Sequence, residues 1–298
     1  MSQGFTARAL LIAASLLTVS MAQAQPGALL ERIKAEKKLV LAHRESSVPF
    51  SYLDPQGRPV GYALDVCVML SKAVQRALSI DRLDVSYLQV TPANRIEAVE
   101  KGRAHMECGS TTNNAARRKQ VDFTVPHFIT GARLLVKADS PIDRIDHPAV
   151  KVAVSTRNTT PLAALRKVDF ERFLKLNILE ADDHERAVEM VENGQAQAFA
   201  MDDVLLYGLA AGRADPKALK VVGKFLTTEP LAIMLPKDEP AFKKIIDDEM
   251  RRMIYSGEMQ QIYRRWFEQP IPPNNVALNL PPSYLLRDLW KYPTDKMP

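Results

Sequence analysis

The sequence predicts an α/β protein built as two consecutive strand–helix halves. Short apolar runs alternate with longer segments in which apolar residues recur at helical spacing. The order strand, helix, strand, helix occurs in both halves, the pattern of a parallel sheet with crossover helices. The 298 residues, 46% hydrophobic and 25% charged, are ordinary for a globular chain and long enough for one large or two ordinary domains.

In the first half, Lys38 to Ala42 reads as a short buried strand that ends at the polar run His43–Ser47. Asp54-Pro55-Gln56-Gly57 is a turn. After Gly61, residues Leu64, Val66, Leu70, Ala73, Val74 and Ala77 outline a helix. Asp84 to Val90 alternates like a strand, and a second helix is expected from Thr91 to Gly102. The second half opens with strands at Gly131 to Val136 and Val150 to Val154. A helix is expected from Leu162 to Leu176, a strand at Asn177 to Glu180, a helix at Glu185 to Asn193 and a strand at Ala198 to Met201. Leu231 to Leu235 is strand-like. Helices are expected at Phe242 to Tyr255, stopped by Gly257, and at Glu258 to Phe267. The proline-rich tail carries scattered apolar residues (Leu285, Leu289, Trp290) able to wrap the body.

The first residues read as an address. Arg8, the apolar run Ala9 to Val19 and the small residues of Ala22-Gln23-Ala24 follow the grammar of a secretory signal cleaved after Ala24. That run is about half the ~20 residues a membrane-spanning helix needs. The mature chain is therefore expected to be exported. Cys67 and Cys108 could form one disulfide in an oxidising compartment, but Cys67 sits among apolar helix residues, and two buried free thiols are the expectation.

Charge and motif content exclude several function classes. Lys+Arg 40 against Asp+Glu 35 gives a net charge of +5, scattered along the chain rather than gathered in a stripe, which argues against nucleic acid as a partner. His43, His105, His127, His147 and His184 lack metal-ligand spacing, so no metal site is expected. G-x-S-x-G, G-x-G-x-x-G and the P-loop pattern are missing, and no cofactor is expected. What the chain does carry is a hydroxyl- and amide-rich run, Glu107-Cys108-Gly109-Ser110-Thr111-Thr112-Asn113-Asn114, followed by Arg117 and Arg118. Hydroxyls and backbone N–H groups beside a guanidinium suit a carboxylate, because the guanidinium offers two parallel donors.

That run, together with His43 to Tyr52, Val60-Gly61-Tyr62, Asn94-Arg95, Asp122-Phe123-Thr124, Gly131 to Leu135, Met201-Asp202-Asp203 and Trp266 to Pro273, resembles one family across the mature chain. It is the periplasmic solute-binding proteins of polar amino-acid ABC transporters (family 3), in their glutamate/aspartate-binding branch. The resemblance implies a two-lobed periplasmic binding protein fold of type II. Lobe one would hold residues 25–126 and 233–298 and lobe two residues 132–227, joined by hinge strands at 127–131 and 228–232. It implies a monomer that captures L-glutamate or L-aspartate in the cleft and hands it to a membrane permease. It assigns the ligand's α-carboxylate to Arg117, Thr112 and Thr160. The α-ammonium goes to Asp202 and Ser110, and the side-chain carboxylate to Arg44, Arg95 and His184. Asp203 is expected to be structural.

The chain departs from the family pattern at three places. Ala63 stands where an acid is usual, and Pro92 where a serine would reach the distal carboxylate. Arg157, in the turn before Thr160, is expected to bring an extra cation near the cleft. Two alternatives stay open at this point: an enzyme on the same scaffold, similar to cyclohexadienyl dehydratases and using His184 or Glu45 as acid or base, and a binding protein for another small dicarboxylate. A second, chemosensory role is compatible with either.

Overall fold

The computed structural model describes residues 27–296. The expected signal and its cleavage site lie outside the described residues. Helix α1 (Ala28–Glu36) leads into strand β1 (Lys38–His43), and a small antiparallel sheet follows, formed by β2 (Ser46–Ser47), β3 (Ser51–Leu53) and β4 (Pro59–Val60). Helix α2 (Tyr62–Ala77), strand β5 (Asp84–Gln89), helix α3 (Arg95–Glu100), and strands β6 (Met106–Glu107) and β7 (Asp122–Phe123) complete the first pass. Helix α3 starts four residues later than expected. Thr91 donates its N–H to Asn94 Oδ1 (2.8 Å), closing a turn around Pro92 instead of a first helical turn.

The chain then leaves through β8 (Phe128–Thr130) for the second body. That body contains β9 (Ala132–Lys137), β10 (Val152–Thr156), α4 (Thr160–Arg172), β11 (Asn177–Ala181), α5 (His184–Glu192), β12 (Ala198–Asp202), α6 (Asp203–Ala211) and β13 (Leu219–Val222). It returns through β14 (Glu229–Leu231) to β15 (Met234–Leu235) and helices α7 (Pro240–Ser256) and α8 (Glu258–Phe267). A hairpin, β16 (Pro270–Ile271) with β17 (Val276–Ala277), and helix α9 (Tyr284–Lys291) close the described chain.

Two five-stranded sheets form the cores of the two lobes, in the orders β5-β1-β6-β15-β7 and β11-β10-β12-β9-β13. Neither is wholly parallel, which corrects the sequence expectation. β1 runs parallel to β5 and β6, and β10 parallel to β11 and β12. The strands added beside them, β15 and β9, are antiparallel because they carry the chain back from, or in from, the other lobe. The passage is made twice, side by side: β8 pairs antiparallel with β14, Ile129 opposite Pro230. The single strand expected at Leu231 to Leu235 is thus two, one in the crossover ladder and one in the lobe-one sheet.

Helical spacing places the core. On α2, residues Ala63, Val66, Cys67, Leu70 and Val74 are buried, and on α7, Phe242, Ile246, Met250 and Met253. The cysteine expectation is corrected: Cys67 and Cys108 are joined, with Cα atoms 6.2 Å apart. The pairing follows from the sheet. α2 packs on β1, and β6 lies next to β1, so the residue immediately after β6 arrives beneath α2.

The tail does wrap the body. Asn274 donates to the Ala211 and Arg213 carbonyls at the end of α6, and Tyr52 donates to the Pro272 carbonyl (2.9 Å). Leu286, Leu289 and Trp290 of α9 are buried, whereas Leu285 is exposed. Among the described residues, no helix is long and apolar enough to cross a membrane.

Candidate functional site

In both sheets the first strand of the parallel core has its successors on opposite sides: β5 and β6 flank β1, and β11 and β12 flank β10. A crevice opens at the carboxyl ends of strands wherever the connections diverge in this way. The residues singled out from the sequence sit at those ends. Arg44 follows β1 and Ser110 and Thr112 follow β6, while Thr160 follows β10, His184 follows β11 and Asp202 ends β12.

Lobe one supplies cations. Arg44 is 2% exposed, and its backbone N–H donates to Ser51 Oγ (2.8 Å). Arg95, 3% exposed, is the first residue of α3. A cation there opposes the helix dipole, so stability does not explain the choice. Arg117 lies in a short 3-10 turn, with Nη1 donating to the Thr112 carbonyl (2.9 Å). The loop between β6 and that turn is held by main-chain bonds: Cys108 N–H to the Ala42 carbonyl, Asn113 N–H to the Pro230 carbonyl, and Ala232 N–H to the Thr111 carbonyl. Burial, and then the neighbouring Arg95, push Arg44 and Arg117 down to about 9. Both remain charged at neutral pH, crowded against each other in a dry place.

Lobe two supplies helix N-termini. Thr160 begins α4, whose N-cap Thr159 accepts from the Leu162 N–H (3.3 Å). His184 begins α5, capped by Asp183, and Asp202 is the N-cap position of α6 with no side-chain cap bond. His184 Nδ1 is 2.8 Å from Thr156 Oγ1. Burial, reinforced by Arg44 and Arg95, holds the imidazole well below its ordinary value and therefore neutral. Burial first, then Glu229 and Asp203, pushes Asp202 well above the usual carboxylate range, with Arg95 and Arg117 pulling the other way. Asp203 accepts from Thr130 Oγ1 (2.6 Å) and the Val204 N–H (2.8 Å), a structural pattern.

The lobes touch over this site. Thr112 Oγ1 and Thr160 Oγ1 are 3.1 Å apart. On α6, a Cβ added at Gly208 would lie 2.4 Å from the Val48 carbonyl oxygen of lobe one, so only a glycine permits the approach. Between the lobes is a narrow space with a cavity volume of about 10 Å³, the two lobes being drawn close over it. It is lined by Arg95, Ser110 and Thr112 from lobe one and by Thr160, His184 and Asp202 from lobe two. Arg44 and Arg117 stand behind that lining, and their charges are felt at His184 and Asp202 respectively.

Five buried atoms at this place have no hydrogen-bond partner among the described residues: Arg44 Nη1, Arg95 Nε, Asp202 Oδ1 and both carboxylate oxygens of Glu107. An unmet buried donor or acceptor costs about 1–3 kcal/mol, more when charged. Such a set, cationic at several points and anionic at two, can accept a molecule carrying carboxylates and an ammonium.

Two sequence expectations about the cleft change. Arg157 does not face it: the side chain is half exposed and pairs with Glu180 (3.1 Å) and Asp182 (2.9 Å) on the outer surface of lobe two. Glu45, named as a possible acid or base, is exposed and accepts from Gln89 Nε2 (2.8 Å). Residues that sequence reasoning did not assign also lie here. Thr159, Pro161, Met201 and Leu205 line the space, and Glu107, inside the singled-out run, is fully buried beside the arginines. For Glu107 the signal was available, since an acid inside a hydroxyl-rich run that precedes Arg117 has few reasons to be on the surface.

The chain is similar to known proteins over most of its length. The family profile of bacterial extracellular solute-binding proteins, family 3, matches residues 39–269. The chain is 40% identical over 286 residues to the L-glutamate/L-aspartate-binding protein of Pseudomonas aeruginosa, covering 96% of this chain and 95% of that one. It is 38% identical over 288 residues to the glutamate/aspartate import solute-binding protein of Escherichia coli K12, covering 97% and 95%. In fold it is similar to a solved mutant of ArgBP from T. maritima, with a TM-score of 0.71, 19% identity, and coverage of 80% of this chain and 99% of that one. The chain belongs to the bacterial extracellular solute-binding proteins, family 3.

Proposed function

We propose that the protein is a periplasmic receptor that captures an acidic L-amino acid, glutamate or aspartate, between its lobes and delivers it to an ABC transporter permease. The observation that carries this reading is the unpartnered set Arg44 Nη1, Arg95 Nε and Asp202 Oδ1, brought from both lobes to the seam between them. A dicarboxylic amino acid bears two anions and one cation, and burying it without partners for all three would cost several kcal/mol. In this reading Arg117, Thr112 and Thr160 take the α-carboxylate. Asp202 and Ser110 take the ammonium, and Arg44, Arg95 and His184 take the side-chain carboxylate. Neutral His184 has one ring nitrogen on Thr156 and can offer the other to a carboxylate if that nitrogen carries the proton.

The hinge is assigned to residues 127–131 and 228–232, around the β8–β14 ladder. Lobe one is residues 25–126 with 233–298, and lobe two is 132–227. Ligand contacts to both lobes favour the closed arrangement, because only that arrangement makes them all. Export to the periplasm after cleavage at Ala24, and action as a monomer, complete the reading. Calorimetric titration of the mature chain with each amino acid and with small dicarboxylates tests it. One-to-one binding of L-glutamate or L-aspartate is expected. Tight binding of a neutral or basic amino acid in their place would overturn it.

A further inference from the structure

Glu107 has no role in the site as assigned. It is 0% exposed, and neither carboxylate oxygen has a hydrogen-bond partner among the described residues. Its backbone is fixed on both sides, opposite Ala42 of β1 and Met234 of β15. Ala42 is two residues before Arg44, so the acid and the base leave adjacent strand ends. Gly109 shows how tightly they meet. A Cβ there would lie 2.4 Å from Glu107 Oε1 and 3.0 Å from Arg44 Cγ, so the carboxylate and the arginine stem press on the same face of a residue that has no side chain. The charge of Glu107 is felt at Arg44, Arg95 and Arg117 alike. It is not spent in a hydrogen bond to any of them, which leaves Arg44 Nη1 and Arg95 Nε for something else.

We propose that Glu107 sets the charge of the group the distal end of the site accepts: its fixed carboxylate offsets one of the two arginine charges, so that a single negative charge completes the cluster. The inference rests on the acidic amino-acid reading above. At the distal end Arg44 and Arg95 contribute two positive charges and Glu107 removes one, while His184 is neutral. The distal end is therefore one charge short of neutrality, and the side-chain carboxylate of a dicarboxylic amino acid supplies that charge. At the other end Arg117 faces Asp202 and the buried Glu229. Asp183, also felt at Arg44, is exposed, and the buried Glu229 acts at the Arg117 end rather than on the two distal arginines. A site made of the two arginines alone would favour a doubly negative group, such as a phosphate monoester.

The test compares ligands that differ in distal charge: L-glutamine, L-glutamate and O-phospho-L-serine. Glu107→Gln keeps the shape and removes the charge. Its preference for L-glutamate over L-glutamine should rise about tenfold or more over the unaltered protein, because the uncompensated charge acts at short range in a dry site. Glu107→Asp, which keeps the charge, should leave the preference near that of the unaltered protein. An unchanged or reduced preference in Glu107→Gln overturns the proposal and makes Glu107 a packing residue.

A measurement on the unaltered protein stands if Glu107→Gln does not fold. The phosphate of O-phospho-L-serine passes from one to two negative charges near pH 6. Its affinity relative to L-glutamate should therefore fall between pH 5.5 and pH 8, and a rise overturns the proposal. If the unaltered protein binds no acidic amino acid at all, the reading of the site fails first and this inference falls with it. If it binds glutamate but the ratios do not move, only this inference fails.

Discussion

In lobe one β1 lies between β5 and β6, and in lobe two β10 lies between β11 and β12. The two lobes place their crevice residues at equivalent strand ends, but they load them differently. Lobe one presents three guanidinium groups on a framework tied by a disulfide from α2 to Cys108 and by main-chain hydrogen bonds that hold the loop after β6 to β1 and β14. Lobe two presents no buried arginine. It aims the N-termini of α4, α5 and α6 at the same space, with Thr160, His184 and Asp202 at their first turns. Like charges buried together repel and are kept close only by a rigid scaffold, whereas helix dipoles attract an anion without a desolvated side-chain charge. The difference suits an order of events in which lobe one attracts the anion and lobe two closes over it.

The strongest challenge to this contrast is Arg117→Ala. Removing the cation from a buried charge pair is expected to cost about 3–5 kcal/mol of binding, a loss of a hundredfold or more in calorimetric affinity. A loss of tenfold or less would mean that lobe one is not the anion-holding half.

The rigidity half of the comparison is tested by converting Cys67 and Cys108 together to Ala. The bridge spans 41 residues, and its removal should lower unfolding stability by about 2–4 kcal/mol. Denaturant melts read this directly, and ligand-saturated protein should recover part of the loss by mass action.

Closure can be separated from the cations with Gly208→Ala. Alanine suits an open-state helix by about 0.5–1 kcal/mol, but its methyl meets the Val48 carbonyl when the lobes close. Ligand-free melting should hold or rise while affinity drops about tenfold, the reverse of a simple folding defect. Equal affinity for variant and parent would show that α6 need not reach lobe one.

The smallest expected effect is on pH. Asp202 is held above the ordinary carboxylate range in the absence of an ammonium partner, so acid protonates it early and removes the group that the ammonium needs. Affinity should fall as pH drops through that raised value, by at most about tenfold per unit. Asp202→Asn should bind more weakly and lose this slope. His184, already neutral, should add none.

Much of the frame was legible before the structure. Apolar spacing located β1, α2, β5, α7 and α8 because their core faces repeat at the helical or strand period, and Gly257 marked the junction of the last two. Helices α1, α6 and α9 were not assigned. The first is short, and the second is apolar all round, so that it shows no stripe. The third was read only as scattered tail residues, because its partners are distant in sequence.

In the site, Arg44, Arg95, Arg117 and Asp202 were picked out by type and by the runs around them. Nothing along the chain, however, told an arginine that faces inward from one that faces out. Arg157 is two residues after Ser155 and four after Ala153 of a buried strand, an alternation that suggests an inward side chain, yet it ends on the surface with Glu180 and Asp182. Whether the two cysteines meet was equally hidden, since it depends on β6 inserting beside β1 after more than 60 residues of intervening chain have gone elsewhere.

The amino-acid order by itself determined the alternation of strands and helices and the kinds of charge available for a site, because periodicity and side-chain chemistry are local properties. Only the tertiary structure decided which charges are dry and unpartnered, that Glu107 is one of them, and that Gly208 lets one lobe rest on the other. Those are properties of distance and exclusion of water, set by strands that pair across the chain rather than along it.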